Sequence, residues 1–258
     1  YAGQSDSQLN AQSSGNPDAQ PETGTMYTAG FVYSPVWLEN FSTTVDWYQL
    51  DLEQAIGAPG TQNILNACFV QGIVDYCSKV QRDAIGEITR VDNSLDNTGV
   101  LNAEGIDFNF RYALPDTAVG TFKFNLDTSY IIENTTQSVA GEPGTIARNA
   151  GDFGDISSGL DGHFARWRGL FNTNWSYGDF DVSWKMRYIH HVRETPAGCQ
   201  TGLTDPGLCT MVLIGNDNNG QIVRGERTIP SYTYNDLQAN YNLSAFNTVL
   251  TVGVDNIA

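Results

Sequence analysis

Basic residues are scarce in this chain of 258 residues: 13 Lys and Arg stand against 29 Asp and Glu, giving a net charge of −16. That deficit argues against a nucleic-acid partner, because phosphate binding rests on a basic surface that releases counterions. Long apolar runs are missing as well. This excludes a transmembrane helix but leaves open a transmembrane β-barrel, whose signal per strand is far weaker. A mean hydropathy of −0.30 therefore decides nothing about the membrane. The opening residues, "YAGQSDSQLNAQSSGNPDAQ", have neither a charged n-region nor an apolar h-region, so no signal peptide is read there. Histidine is limited to three residues, and no Gly-x-Ser-x-Gly elbow occurs. With no nucleophile set beside a base, neither an enzyme nor a cofactor is expected.

Cysteine is also sparse, but its placement is informative. Cys68 and Cys77 bracket one polar, Gly-containing loop, and Cys199 and Cys209 bracket another. Two local disulfides suit this pattern and an oxidising compartment, whereas a metal site calls for tighter Cys-x-x-Cys spacing or nearby histidines.

What the chain has in quantity is alternation. In "GTFKFNLDTSYIIE", Phe122, Phe124, Leu126 and Tyr130 alternate with Lys123, Asn125, Asp127 and Ser129. A period of two marks a β-strand with one apolar and one polar face. The pattern recurs in "GIDFNFRYAL", "ARWRGLFNTNWSY", "DVSWKMRYIHHV", "DLQANYNL" and "TVLTVGVDN". Two earlier strands, near Tyr27 to Tyr33 and Thr43 to Leu52, are weaker, and the second reads as slipping register after Trp47.

The connections alternate between short turns ("SPVWLEN", "LPDTAVG", "YGDF", "SAFN") and long irregular links at about 54–103, 134–163 and 194–230. In an antiparallel meander this puts every short turn on one rim and every long loop on the other, as outer-membrane barrels do. Tyr and Trp fall on the apolar face near the strand ends. Tyr33, Trp175, Tyr177, Trp184 and Tyr241 lie toward the short turns, and Tyr27, Tyr130, Trp167 and Tyr188 toward the long loops. Two aromatic girdles are expected of strands that cross a bilayer. The fold expected is therefore all-β: an antiparallel transmembrane β-barrel meander of about eight strands, with outer-membrane lipid and lipopolysaccharide outside and a polar lumen within. Residues 1–23 read as an extracellular loop leading into the barrel, and 24–258 as part of one barrel domain.

The segment "GNPDAQPETGTMYTAGFVYSP" resembles the Asn-Pro-x-Leu-x-Pro-Glu signature of TonB-dependent outer-membrane receptors. Asn16, Pro17, Pro21 and Glu22 match, and Ala19 stands where leucine is usual. "TTVDWYQLDLEQAIG", "IPSYTYNDLQANYNL" and "TVLTVGVDNIA" resemble later strands of that family in the family's order. The resemblance implies roughly the last third of a barrel of about 22 strands, without its plug domain or final strand. It also implies a bacterial outer-membrane location and active uptake of a scarce ligand, whether ferric siderophore, cobalamin or oligosaccharide. The partners implied are the TonB complex and the plug, with room for a surface lipoprotein. A passive porin, or a β-rich adhesin or lectin, is the alternative.

Residues on the polar face near the long-loop rim are the candidate ligand or plug contacts: Asp107, Glu133, Arg166, Arg168, Arg187, His191, Arg193 and Tyr234. For each, a solvated structural charge is the competing reading. Adjacent His190 and His191 should point to opposite faces of a strand, which argues against a shared metal ion. Asp152, Asp155, Asp161 and Asp217 offer hard oxygens of the kind Ca²⁺ takes, but without EF-hand spacing they read equally as Asp/Gly loop tips.

Overall fold

The computed structural model describes residues 9–141, 145–153, 164–193, 212–216, 222–225 and 228–257. In chain order its strands are β1 (Ala11–Gln12), β2 (Thr23–Tyr33), β3 (Phe41–Gly57), β4 (Val80–Arg82), β5 (Ile88–Asp92), β6 (Asp96–Ala113), β7 (Thr121–Gln137) and β8 (Ile146–Arg148). They continue with β9 (Trp167–Tyr177), β10 (Phe180–Ile189), β11 (Val192–Arg193), β12 (Val212–Asn216), β13 (Ile222–Gly225), β14 (Thr228–Ile229), β15 (Tyr232–Leu243) and β16 (Thr248–Val254). Two helices, α1 (Thr61–Phe69) and α2 (Val74–Cys77), lie between β3 and β4.

The main sheet is a meander in the order β16-β15-β10-β9-β7-β6-β3-β2, with β8 added to the end of β7. Every pairing along that path is antiparallel. The sheet is open, with β2 and β16 as its edges. All four short turns join neighbours at one rim, and the long links all leave from the other, as the alternation of loop lengths requires.

Register carries the two faces across the strands. Trp47 opposes Ile106, which opposes Tyr130, which opposes Trp167. Lower down, Phe122 opposes Trp175, Trp175 opposes Val182, and Val182 opposes Ala239. Ring contacts join neighbouring strands, including Tyr130 with Trp167 at 5.9 Å, Phe124 with Phe171 at 6.3 Å and Phe180 with Tyr241 at 4.6 Å. Such cross-strand aromatic pairs each add about 0.5–1.5 kcal/mol beyond area burial. All nine girdle aromatics fall on this outer face. Trp184 is the exception in height, because it sits in the middle of β10 with its ring edge on Phe171 and its Nε1 donating to Asn235.

The slip expected after Trp47 does not occur. Pairing of β3 with β6 continues unbroken through Glu53. What changes is the chemistry of the outer face, where Gln49, Asp51 and Glu53 follow Val45 and Trp47 in the same parity. A tilted strand crosses the bilayer with about 9–11 residues. β3, β6 and β7 have 17, 18 and 17, so they project well beyond it, and their outer faces turn polar where lipid tails end. The same overrun shortens the first expected long link to 58–95, and with β9 beginning only at Trp167 the second is shifted to 138–166.

The first of those links is not irregular. α1 and α2 pack over a small sheet in the order β1-β5-β4, in which the parallel strand β1 comes from the segment before β2. Ile64, Leu65 and Cys68 share one face of α1 by helical spacing and are buried with Tyr76, Ile88 and Val91. Val139, from the turn after β7, closes this cluster. The expected Cys68–Cys77 disulfide ties α1 to α2 across a Cα separation of 4.7 Å. Cys199 and Cys209 lie outside the described residues.

Candidate functional site

The concave face of the sheet collects the polar members of each strand. Asp46 opposes Asp107, Asn109 opposes Asp127, and Arg187 opposes Tyr234. Together with Arg168 and Lys185 they line a concavity of about 860 Å³. Of the eight residues expected to contact ligand or plug, Asp107, Arg168, Arg187 and Tyr234 are brought together here.

Their local partners fix how they are presented. Asp107 accepts a hydrogen bond from the Ser129 hydroxyl at 2.5 Å. The Arg187 guanidinium lies 3.7 Å from the Asp236 carboxylate and 5.0 Å above the Tyr234 ring, a combined ion pair and cation–π contact on a half-exposed side chain. Asn109 donates to Asp127. The carboxylates of Asp46, Asp107 and Asp127 come from β3, β6 and β7, and the cations of Arg111, Arg168, Lys185 and Arg187 from β6, β9 and β10, so both signs of charge face the concavity. Gly105, in the middle of β6, leaves room on the same face for the Tyr48 ring of β3. A Cβ there would stand 2.5 Å from the Tyr48 hydroxyl, because the Tyr48 ring from the neighbouring strand lies over it.

The other four residues go elsewhere. Glu133 was expected on the lumen face by strict alternation. A β-bulge at Ile132 shifts it one position, so that it opposes Glu104 on the outer face above the aromatic row. Arg166 serves that same bulge: its Nη1 donates to the carbonyls of Ile131 and Ile132, at 3.3 and 2.9 Å, satisfying acceptors that the broken ladder leaves over. Arg193 is knit by its backbone to Gly151 and Phe153 at the foot of the next link. His191 follows the end of β10, where alternation no longer governs direction. The two adjacent histidine rings therefore do not point apart but lie 4.1 Å between centroids. His190 also meets the Tyr188 hydroxyl through Nδ1 at 2.8 Å. Burial lowers the His190 pKa, and the neighbouring His191 lowers it further.

Asp152 is buried in the Gly151–Arg193 junction and accepts the Phe153 N–H at 2.7 Å. Asp155, Asp161 and Asp217 lie outside the described residues, and among the described residues no cluster of three metal-ligating side chains occurs. The charged residues of the concavity not singled out as candidates from the sequence are Asp46, Arg111, Asp127 and Lys185. Their signal was the same alternation, read one turn further from the loop rim.

A meander with an apolar, aromatic-banded outer face, a charged concave face and one-sided long loops defines an outer-membrane β-barrel wall. The family model described as "TonB dependent receptor-like, beta-barrel" matches residues 1–257. The chain belongs to that family, whose members are barrels of the bacterial outer membrane.

Solved structures agree on the fold. The outer-membrane transporter YddB of Escherichia coli superposes with a TM-score of 0.55 at 8% identity, over 96% of this chain and 30% of that one. A mutant of the ferric enterobactin receptor PfeA of Pseudomonas aeruginosa gives 0.52 at 15% identity, over 92% and 26%. The FrpB iron transporter of Neisseria meningitidis gives 0.50 at 13% identity, over 95% and 28%. The chain thus spans less than a third of the length of these structures. No curated protein matches it in sequence.

Proposed function

We propose that this chain forms part of the wall and extracellular rim of a transporter that takes up a scarce ligand, energised through TonB. A plug within the lumen would meet the charged wall, and the ligand would enter from the long-loop side. The observation that carries the reading is the pairing, on one sheet of this family, of a lipid-facing exterior with a concave face lined by Asp107, Arg168, Arg187 and Tyr234. A ferric complex heads the ligand classes, ahead of cobalamin and oligosaccharide, because two of the structural relatives are named for iron uptake.

The test is uptake by cells with and without the intact gene, across labelled ferric siderophores, cobalamin and oligosaccharides, each with and without a protonophore. Active transport predicts binding that survives the protonophore while accumulation is lost. Accumulation indifferent to the protonophore would establish the passive porin instead. Accumulation of cobalamin or oligosaccharide alone would keep the mechanism and replace the ligand class.

A further inference from the structure

The residues that match the family signature make contacts that neither lipid insertion nor a ligand demands. From Asn10 to Ser14 the chain runs beside residues 91–95, whose Val91, Asn93 and Leu95 N–H groups donate to the carbonyls of Asn10, Gln12 and Ser14 at 2.9, 2.8 and 3.0 Å. The hydroxyls of Ser14 and Ser94 meet at 2.6 Å. A turn follows, in which the Asn16 side chain accepts the Asp18 N–H at 2.9 Å and Pro17 supplies a preset φ.

Beyond the turn, Asn97 becomes a hub. Its Oδ1 accepts the Gln20 N–H, and its Nδ2 donates to the carbonyls of both Gln20 and Gln54, all at 2.8 Å. Glu22 accepts the Ile56 N–H at 2.7 Å through Oε1. Gln54 and Ile56 flank the place where β3 loses register with β6, and Gln54 holds a φ of 55°, a left-handed conformation that a non-glycine residue keeps only when its surroundings over-determine it. Side chains from the signature segment and from the start of β6 thus satisfy backbone groups on both sides of one irregular point, directly beneath the disulfide-tied helical cap.

We propose that Asn10–Glu22 is a strap across the base of the cap, with Glu22 and Asn97 as its positioning residues and the Gln54 bulge as the joint it immobilises. The strap makes the segment leading into β2 and the cap between β3 and β6 a single body, so the cap's attitude over the rim is set from outside its own loop. This assigns the Asn-Pro and Pro-Glu ends of the signature distinct tasks: the first turns the strap, and the second pins it. The inference does not depend on what the transporter carries.

The test uses the full-length protein in lipid nanodiscs, as wild type and as Glu22→Ala, Glu22→Gln and Asn97→Ala. Hydrogen exchange of peptides covering 10–22 and 54–57 is followed beside that of α1. Both alanine variants are expected to exchange roughly fivefold faster in those peptides, the order expected for one lost hydrogen bond. Glu22→Gln keeps an acceptor oxygen and should stay near wild type, while α1 remains protected throughout. Spin labels at exposed Ser78 and Ser231 should give a narrow distance distribution in wild type and Glu22→Gln and a broadened one in the alanine variants. Unchanged exchange in the strap, an equal loss of protection in α1, or an unbroadened distance distribution would each overturn the proposal.

Discussion

The sheet and the cap are built from similar apolar residues but place them in opposite surroundings. On the sheet, large side chains stay open on the outer face: Phe31 is 58% exposed, Phe180 51% and Val252 70%. In the cap, Ile64 and Val91 are fully buried. The cap is a small water-soluble core with its own helices, sheet and disulfide, and it obeys the rule that apolar groups leave water by packing on each other. The sheet satisfies its backbone through pairing and leaves its apolar face to lipid. One chain therefore follows two solvation rules, and the boundary runs through β3 and β6 just above Trp47, where the outer face turns from Val45 and Ile106 to Asp51 and Glu104.

Perturbations should fall on one side of that boundary or the other. The largest effect is expected from Ile64→Ala, which opens a cavity in a core with few members and should cost the cap about 2–5 kcal/mol. Proteolysis at 61–77 should accelerate while the heat-resistant mobility of the barrel on gels stays unchanged. Loss of both would mean that the cap and the sheet are one cooperative unit.

Next comes Phe124→Arg on the outer face. If it sits at the bilayer midplane it should cost about 2–4 kcal/mol in denaturant titrations from liposomes. Asn125→Arg, one residue along and facing the lumen, should cost far less. Equal costs would erase the distinction between the faces.

Reducing Cys68–Cys77 should loosen the cap by about 2–3 kcal/mol, the chain-entropy scale for so short a loop. This is read as faster exchange in α1 and α2 with the sheet unaffected. The smallest effect concerns Asp92. The Ser94 hydroxyl bonded to its carboxylate is the main cause of its lowered pKa, with the Ser94 N–H and the charges of Lys79 and Arg90 adding to it. A depressed carboxylate stabilises the fold above its unfolded pKa and loses that contribution as pH falls through the folded value. The protection of 88–95 against hydrogen exchange, corrected for the intrinsic pH dependence of amide exchange, should therefore fall on acidification below about pH 4, and Ser94→Ala should shrink that fall. A protection factor that does not change with pH would remove this contribution.

Much of the sheet was legible in the sequence because a period of two survives any local detail: Phe122, Trp175 and Val182 share a face whatever their neighbours do. The candidate site was legible only where alternation held without interruption. Asp107, Arg168, Arg187 and Tyr234 converge as the pattern implies. Glu133 does not, since a single extra residue at Ile132 inverts everything beyond it and leaves no mark in composition. Helix α1 was hidden for another reason. Ile64, Leu65 and Cys68 have helical spacing, but the segment is one short helix inside a long polar link, and its apolar face acquires meaning only when Val91 and Val139 arrive from distant positions.

The sequence by itself determined the strands, their two faces, the one-sided long loops and the nearer cysteine pair, because these depend on local periodicity and spacing. Only the tertiary structure decided where the lipid-facing surface ends, which charges meet across the lumen wall, and what Asn16 to Glu22 hold in place. Bulges, hydrogen bonds across tens of residues and a core shared between separate links depend on which strands pair and in what register, and register is a property of the assembled sheet.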